Sequence, residues 1–141
     1  MSDFILKDGD KAIFFPTFGA AVVAVRPGVL KGIGPATLNG KNICVEGDEK
    51  SVSVPGCSYI TPLFSIPGTG TLKIFALAED QTAQKTYTGD KLVMLKGSNF
   101  TAKFEVQSPA MQPPPVLIPD PTPQYSGQGN FVTSNTKVFG T

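Results

Sequence analysis

Apolar residues in this chain come in short runs, and turn signals cut each run before it reaches helical length. From Lys11 to Val25 the apolar positions are Ile13, Phe14, Phe15, Phe18, Val22, Val23 and Val25. Pro16 and Gly19 break the run, which predicts two short strands rather than a helix. Arg26-Pro27-Gly28 reads as a turn, and the glycine-rich stretch from Val29 to Leu38 as a loop or a place of close backbone packing. Ile43–Val45 is a strand between two turn dipeptides, Asn39-Gly40 and Gly47-Asp48. Ser51–Val54 alternates at period two and ends at Pro55-Gly56. Tyr59–Thr61 stops at Pro62. Leu72, Ile74 and Ala76 alternate with Lys73, Phe75 and Leu77. Leu92–Leu95 and Ala102–Val106 make a further pair, with Phe104 and Val106 on one side. Only Ala78–Thr88 has helical character; it is too short and polar for more than a turn or a single helical turn between strands.

One pattern recurs. Asn39 to Asp48 carries a turn, a glycine and lysine, a β-forming run, a charge, a glycine and a small polar residue. Gly89 to Ser98 repeats that plan, and a fainter copy starts at Gly9-Asp10-Lys11. Gly40, Gly47, Gly89 and Gly97 are therefore expected to form the corners of a repeated β edge.

The composition changes at Pro109. Seven of the thirteen prolines lie between Pro109 and Pro123. Consecutive prolines cannot feed a ladder, so this stretch is expected to be an extended strap lying on the domain. Asn130–Val132 and Lys137–Phe139 are read as a terminal hairpin that docks. The fold class is thus all-β: one β domain over residues 1–108, with the Pro-rich strap and C-terminal hairpin of 109–141 packed on it. The short strands fit a sandwich, barrel or prism.

At 141 residues the chain can bury a substantial core. Twelve basic and eleven acidic residues leave a net charge of +1, without the basic excess of nucleic-acid binders, so no nucleic-acid partner is expected. Charged residues make up only 16%, which leaves neutral surface free to serve as interface. Histidine is absent, and with it the commonest general base and every His-ligated metal site. Cys44 and Cys57 are expected to be reduced thiols, with a single bridge left open. Asp8, Asp10, Glu46, Asp48 and Glu49 sit at turns, where carboxylates are usually solvated or cap backbone N–H groups. A small carboxylate hydrolase would need two of these acids to converge in a pocket. No catalytic residue, metal ligand or cofactor is assigned. The N-terminus has an early acid and no apolar run, so no signal peptide is expected and synthesis is placed in the cytoplasm.

From Gly9 to Pro109 the chain resembles the PAAR and PAAR-like spike-tip proteins of contractile injection systems, including type VI secretion and phage-tail-like particles. The resemblance rests on Gly28 to Gly34, on the Asn39-Gly40-Lys41 turn leading to Val45-Glu46-Gly47-Asp48, on Lys91 to Gly97, and on Pro109-Ala110. It implies a pointed prism- or cone-like β domain with pseudo-threefold character. The implied role is non-enzymatic. Such a protein caps a homotrimeric β-helical spike, sharpens it for piercing a target membrane, and can carry effector cargo out of the cell. The family's apex metal, held by histidines and a cysteine, does not carry over to a chain without histidine. The competing reading is another structural or adhesive β module of a phage-like baseplate or fibre, which predicts self-trimerisation.

Overall fold

The computed structural model describes residues 3–38, 40–135 and 138–140. The strands, in chain order, are β1 (Asp3–Phe4), β2 (Lys11–Phe14), β3 (Thr17–Phe18), β4 (Ala21–Val23), β5 (Gly28–Val29), β6 (Thr37–Leu38), β7 (Lys41–Asn42), β8 (Ser53–Ile60), β9 (Gly68–Ala76), β10 (Thr82–Thr88), β11 (Lys91–Met94), β12 (Phe100–Ser108), β13 (Gln124–Val132) and β14 (Phe139–Gly140). Short 3-10 turns occupy Asp48–Ser51 and Glu79–Gln81. Among the described residues no helix is long and apolar enough to cross a membrane.

The main sheet is antiparallel, in the order β3-β4-β8-β9-β12-β13-β2-β5. β2 and β3 lie toward opposite ends of this order, yet only Phe15 and Pro16 separate them in the chain. The sheet therefore curls round and closes on a single bent strand. Phe15 N–H continues the β2–β13 ladder by donating to the Gln128 carbonyl at 2.9 Å, and the Pro16 carbonyl accepts from Val23 N–H at 2.9 Å. Proline suits this corner because it has no N–H to strand there. The closed barrel consists of three hairpins: the bent strand with β4, β8 with β9, and β12 with β13.

Period-two burial fills the barrel. Phe100, Ala102 and Phe104 of β12 point inward, while Thr101 is exposed and Lys103 and Glu105 are half-buried. The rings pack edge-on or tilted, with centroids 5.5 Å apart for Phe14–Phe100, 5.2 Å for Tyr59–Phe104 and 4.9 Å for Phe100–Phe131. On β13 the inward positions include Gly127 and Gly129. A Cβ at Gly127 would come within 2.7 Å of the Phe18 ring, and one at Gly129 within 2.6 Å of the Phe100 ring. The glycines make room for rings supplied by other strands. β8 runs through Pro55-Gly56, where the sequence pattern had ended it. A bulge there, with Gly56 at φ +69°, restores the inward phase from Val54 to Cys57.

A ring of three chain segments closes one end of the barrel. Leu6 N–H donates to the Met94 carbonyl at 3.0 Å, Met94 N–H to Cys44 at 2.9 Å, and Cys44 N–H back to Leu6 at 3.0 Å. A second set repeats the cycle outside it: Asp8 to Asn42 at 2.7 Å, Glu46 to Leu92 at 2.8 Å and Lys96 to Phe4 at 2.9 Å. Leu6, Cys44 and Met94 are fully buried and belong to the barrel core. The neighbouring residues Ile5, Ile43, Val93 and Leu95 form a second small core with Ala83, against which Leu38 packs. The ring is thus a floor between two apolar cores, lying on a pseudo-threefold axis.

Each ring segment is entered from a hairpin arm and leads into a barrel hairpin. The arms are β6–β7, β10–β11 and β14–β1. The first two are local in sequence. The third joins the two ends of the chain, with Asp3 opposite Gly140 and Phe4 stacked on Phe139 at 4.6 Å. Asn135 fastens it: its side-chain amide donates to the carbonyls of Ile5 at 3.0 Å and Val138 at 2.8 Å, and its side-chain oxygen accepts from Val138 N–H at 3.0 Å.

Five expectations change. The proposed terminal hairpin is not formed: Asn130–Val132 pairs with β2, Phe139–Gly140 pairs with β1, and Lys137 lies outside the described residues. The stretch beyond residue 108 shares the barrel with the stretch before it, since β13 lies between β12 and β2. The Pro-rich segment is the connection from β12 to β13, folded into a finger. The first copy of the repeat begins earlier than read, at Ile5-Leu6-Lys7-Asp8-Gly9-Asp10, so that Gly9 matches Gly47 and Gly97 instead of Gly40 and Gly89. Finally, Thr82–Thr88 is strand, with only Glu79–Gln81 helical.

Candidate docking surfaces

At the ring end the repeat geometry can be followed residue by residue. Gly9, Gly47 and Gly97 turn the chain from ring to barrel at φ +90°, +99° and +55°. In two repeats the next residue is an aspartate that caps the turn. Asp10 accepts from Lys7 N–H at 2.9 Å, and Asp48 from Val45 N–H at 2.9 Å and Ile33 N–H at 3.2 Å. In the third repeat Ser98 stands in that place and Asp80 reaches across, accepting from Ser98 N–H at 3.1 Å and its hydroxyl at 2.9 Å. Gly40, with φ +78°, and Gly89, with φ +60°, sit at the tips of two arms. Among the described residues, the outer strand of each arm, β6, β10 and β14, belongs to a two-stranded sheet.

The carboxylates do not converge. Asp10 and Asp48 are buried as turn caps. Asp8 accepts from Gly32 N–H at 2.8 Å and Glu49 from Gly47 N–H at 2.7 Å, while Glu46 is exposed. Lys7 is buried against Asp10 at 3.3 Å and also donates to the Ser134 hydroxyl. Cys44 and Cys57 are free, buried thiols. Burial first, and then the charges of Asp48, Asp10 and Asp8, push the Cys44 thiol far above its ordinary range. It sits in the ring between Leu6 and Met94, and the nearby carboxylates of Asp8, Asp10 and Asp48 are taken up by the backbone amides of Gly32, Lys7 and Val45. The residues present do not fit the apex metal expected of the resembling family. Among the described residues no three His, Cys, Asp or Glu side chains group as a metal site.

The opposite end of the barrel is built differently in each repeat. Gly19-Ala20 joins β3 to β4, residues 61–67 join β8 to β9, and residues 109–123 join β12 to β13. In this last connection Met111 bridges both Ile66 and Pro119, giving a finger whose tip is Pro113 to Ile118. Its root is held by Asp120, a buried carboxylate. One oxygen accepts the Tyr59 hydroxyl at 2.9 Å and the Tyr125 hydroxyl at 2.6 Å, and the other accepts Thr122 N–H at 2.9 Å. The Tyr59 oxygen in turn accepts Ala110 N–H at 2.9 Å. Burial pushes the Asp120 carboxyl upward, but the bonds from Tyr125, Thr122 and Tyr59 together hold it below the usual carboxylate range. Burial, with Asp120 beside it, raises the Tyr59 hydroxyl to about 12.

Apart from the buried Asp120, charge is absent from this end. No charged residue lies between Lys11 and Arg26 or between Lys50 and Lys73, and between Glu105 and Lys137 the only one is the buried Asp120. These gaps cover the ends of all three barrel hairpins. Apolar side chains are left exposed there: Leu63 at 60%, Val116 at 53%, Ile118 at 51%, Leu117 at 46% and Ile60 at 40%.

A β domain with a pseudo-threefold backbone ring at one end and an uncharged finger at the other has the build of a structural tip. The chain belongs to the family described as contractile injection system spike tip protein, whose pattern it matches over residues 1–141. A search of curated proteins finds no match. Its class is therefore that of a structural component at the tip of such a particle, associated with the spike complex.

Among these features the sequence had pointed to the glycine corners and the turn acids. It missed the role of Asp120, Tyr59 and Tyr125, because a lone aspartate among prolines carries no local signal of a partner as distant in the chain as Tyr59.

Proposed function

We propose that a single copy of this protein seats on the end of a homotrimeric β-helical spike, by its ring and arms, and leads the particle into a target membrane without catalysis. The observation that carries this reading is the cyclic set of bonds among Leu6, Cys44 and Met94. A homotrimer presents three identical surfaces about one axis. One chain can satisfy all three only if it repeats itself three times about that axis. The arms, one from each repeat and each a two-stranded sheet among the described residues, suit docking on a β partner with the same symmetry. Particle assembly then places the protein outside the cell on firing, with any effector cargo travelling on the same tip. The test is to mix the chain with the spike trimer of its own system and measure mass by light scattering. One copy per three spike chains is expected, with the lone chain monomeric. Self-trimerisation of the lone chain, or failure to associate at any salt concentration, would overturn the reading.

A further inference from the structure

We infer that the barrel end opposite the ring is a lipid-contacting nose, which enters the headgroup–acyl boundary of a bilayer shallowly through Leu63, Val116, Leu117 and Ile118. The inference rests on the proposed seating only for which end leads. Its first support is that this end exposes no charged side chain. A charge carried into a bilayer is costly, and here the three hairpin ends hold one carboxylate, Asp120, already buried and bonded by two hydroxyls and an amide.

The finger backbone adds a second, separate reason. An irregular loop normally carries N–H groups that hydrocarbon cannot satisfy. Between Met111 and Pro119, prolines at 113, 114, 115 and 119 have none to offer. Met111 N–H donates to Ile66 at 3.0 Å, Gln112 N–H to Ile118 at 2.9 Å and Val116 N–H to Pro113 at 3.3 Å. The loop meets an apolar medium with most of its donors removed or paired, and its root is fixed by the Tyr59–Asp120 bond, so little ordering is required on contact.

Symmetry argues against the spike as the occupant of this end. The three connections differ in length and sequence, and unlike loops cannot match three identical chains. The absence of exposed lysine or arginine further commits the nose to neutral lipid, since anionic headgroups are recruited by basic clusters.

The chain has no tryptophan, so a single one is a clean reporter. In the full-length protein, Ile118→Trp is expected to shift its emission to the blue on vesicles of zwitterionic phosphatidylcholine and to be quenched by brominated acyl chains. Added salt or anionic lipid should change this little, and Phe75→Trp, on the outer barrel wall, should stay water-like. Ile118→Asp should cut vesicle partitioning about tenfold or more. Circular dichroism of each variant confirms that the barrel is intact. Unchanged emission on vesicles overturns the nose. So does a blue shift produced by the spike trimer and not by vesicles, which would make this end the seat. The stoichiometry of the spike complex is measured separately, so either proposal can fail without the other.

Discussion

Asp10 and Asp48 occupy the same place in two repeats, each closing a turn with one carboxylate oxygen 2.9 Å from the amide three residues before it. Local sequence reproduces this bond wherever Gly-Asp follows a ring segment. The third repeat, with Ser98, borrows Asp80 instead.

Asp48 has the larger task, because it also accepts Ile33 N–H and is buried. Asp48→Ala leaves two amides without their charged acceptor. A loss of about 2–3 kcal/mol is expected, read as a lower urea midpoint with an unchanged m value. Ser98→Ala, at the equivalent but exposed position, should cost about 1 kcal/mol or less.

The two classes of glycine should respond differently. Gly40 has φ +78° and nothing within 4 Å of an added Cβ, so Gly40→Ala carries only the backbone cost, about 1 kcal/mol. Gly127 has the opposite problem. Its backbone accepts alanine, but the Phe18 ring lies 2.7 Å from the new Cβ. Gly127→Ala is expected to cost about 1–3 kcal/mol by overpacking. If Gly127→Ala proved neutral in thermal unfolding, the inward glycines would not be the reason the rings fit.

The root of the finger makes stability depend on pH in two directions. Asp120 titrates below its ordinary range when folded, so its contribution is present above the unfolded carboxylate range and is lost as pH falls through the lowered folded value. Tyr59 is raised from 10.0 to about 12, so its contribution is complete below pH 10 and is lost as pH rises toward 12. Tyr59→Phe should flatten the alkaline limb of a melting-temperature profile. Asp120→Asn should flatten the acid limb. An unaltered profile in both variants would contradict the latch.

Asn135 ties the β14–β1 arm to the ring through Ile5 and Val138. Asn135→Ala should cost about 1–3 kcal/mol and speed amide exchange at Ile5 ahead of the barrel amides, because the arm opens locally. Uniform acceleration across the whole barrel would instead show that the arm does not open by itself.

Much of the β content was legible in the sequence, because period-two burial and Gly/Pro turns are local signals. Phe104 and Val106 on one side, Leu72 and Ile74 inward, and the glycines close to backbone at Gly32 and Gly34 all follow from neighbouring residues. Barrel closure through Phe15–Pro16 was not legible, since it depends on Gln128. The strand at Thr82–Thr88 was hidden by its polar composition. It is an arm, half of whose surface faces solvent, and its pairing to β11 outweighs weak local preference. The repeat was visible in two copies. The first was shifted because its arm takes its outer strand from the far end of the chain.

The seating of this chain on a threefold partner is tested most directly by amide exchange in the complex with its spike trimer. Protection is expected in residues 37–38, 82–88 and 139–140, the outer strands of the three arms, with 60–66 and 109–120 unchanged. Protection of the finger and its neighbouring turn, with the arms unaffected, would contradict the account.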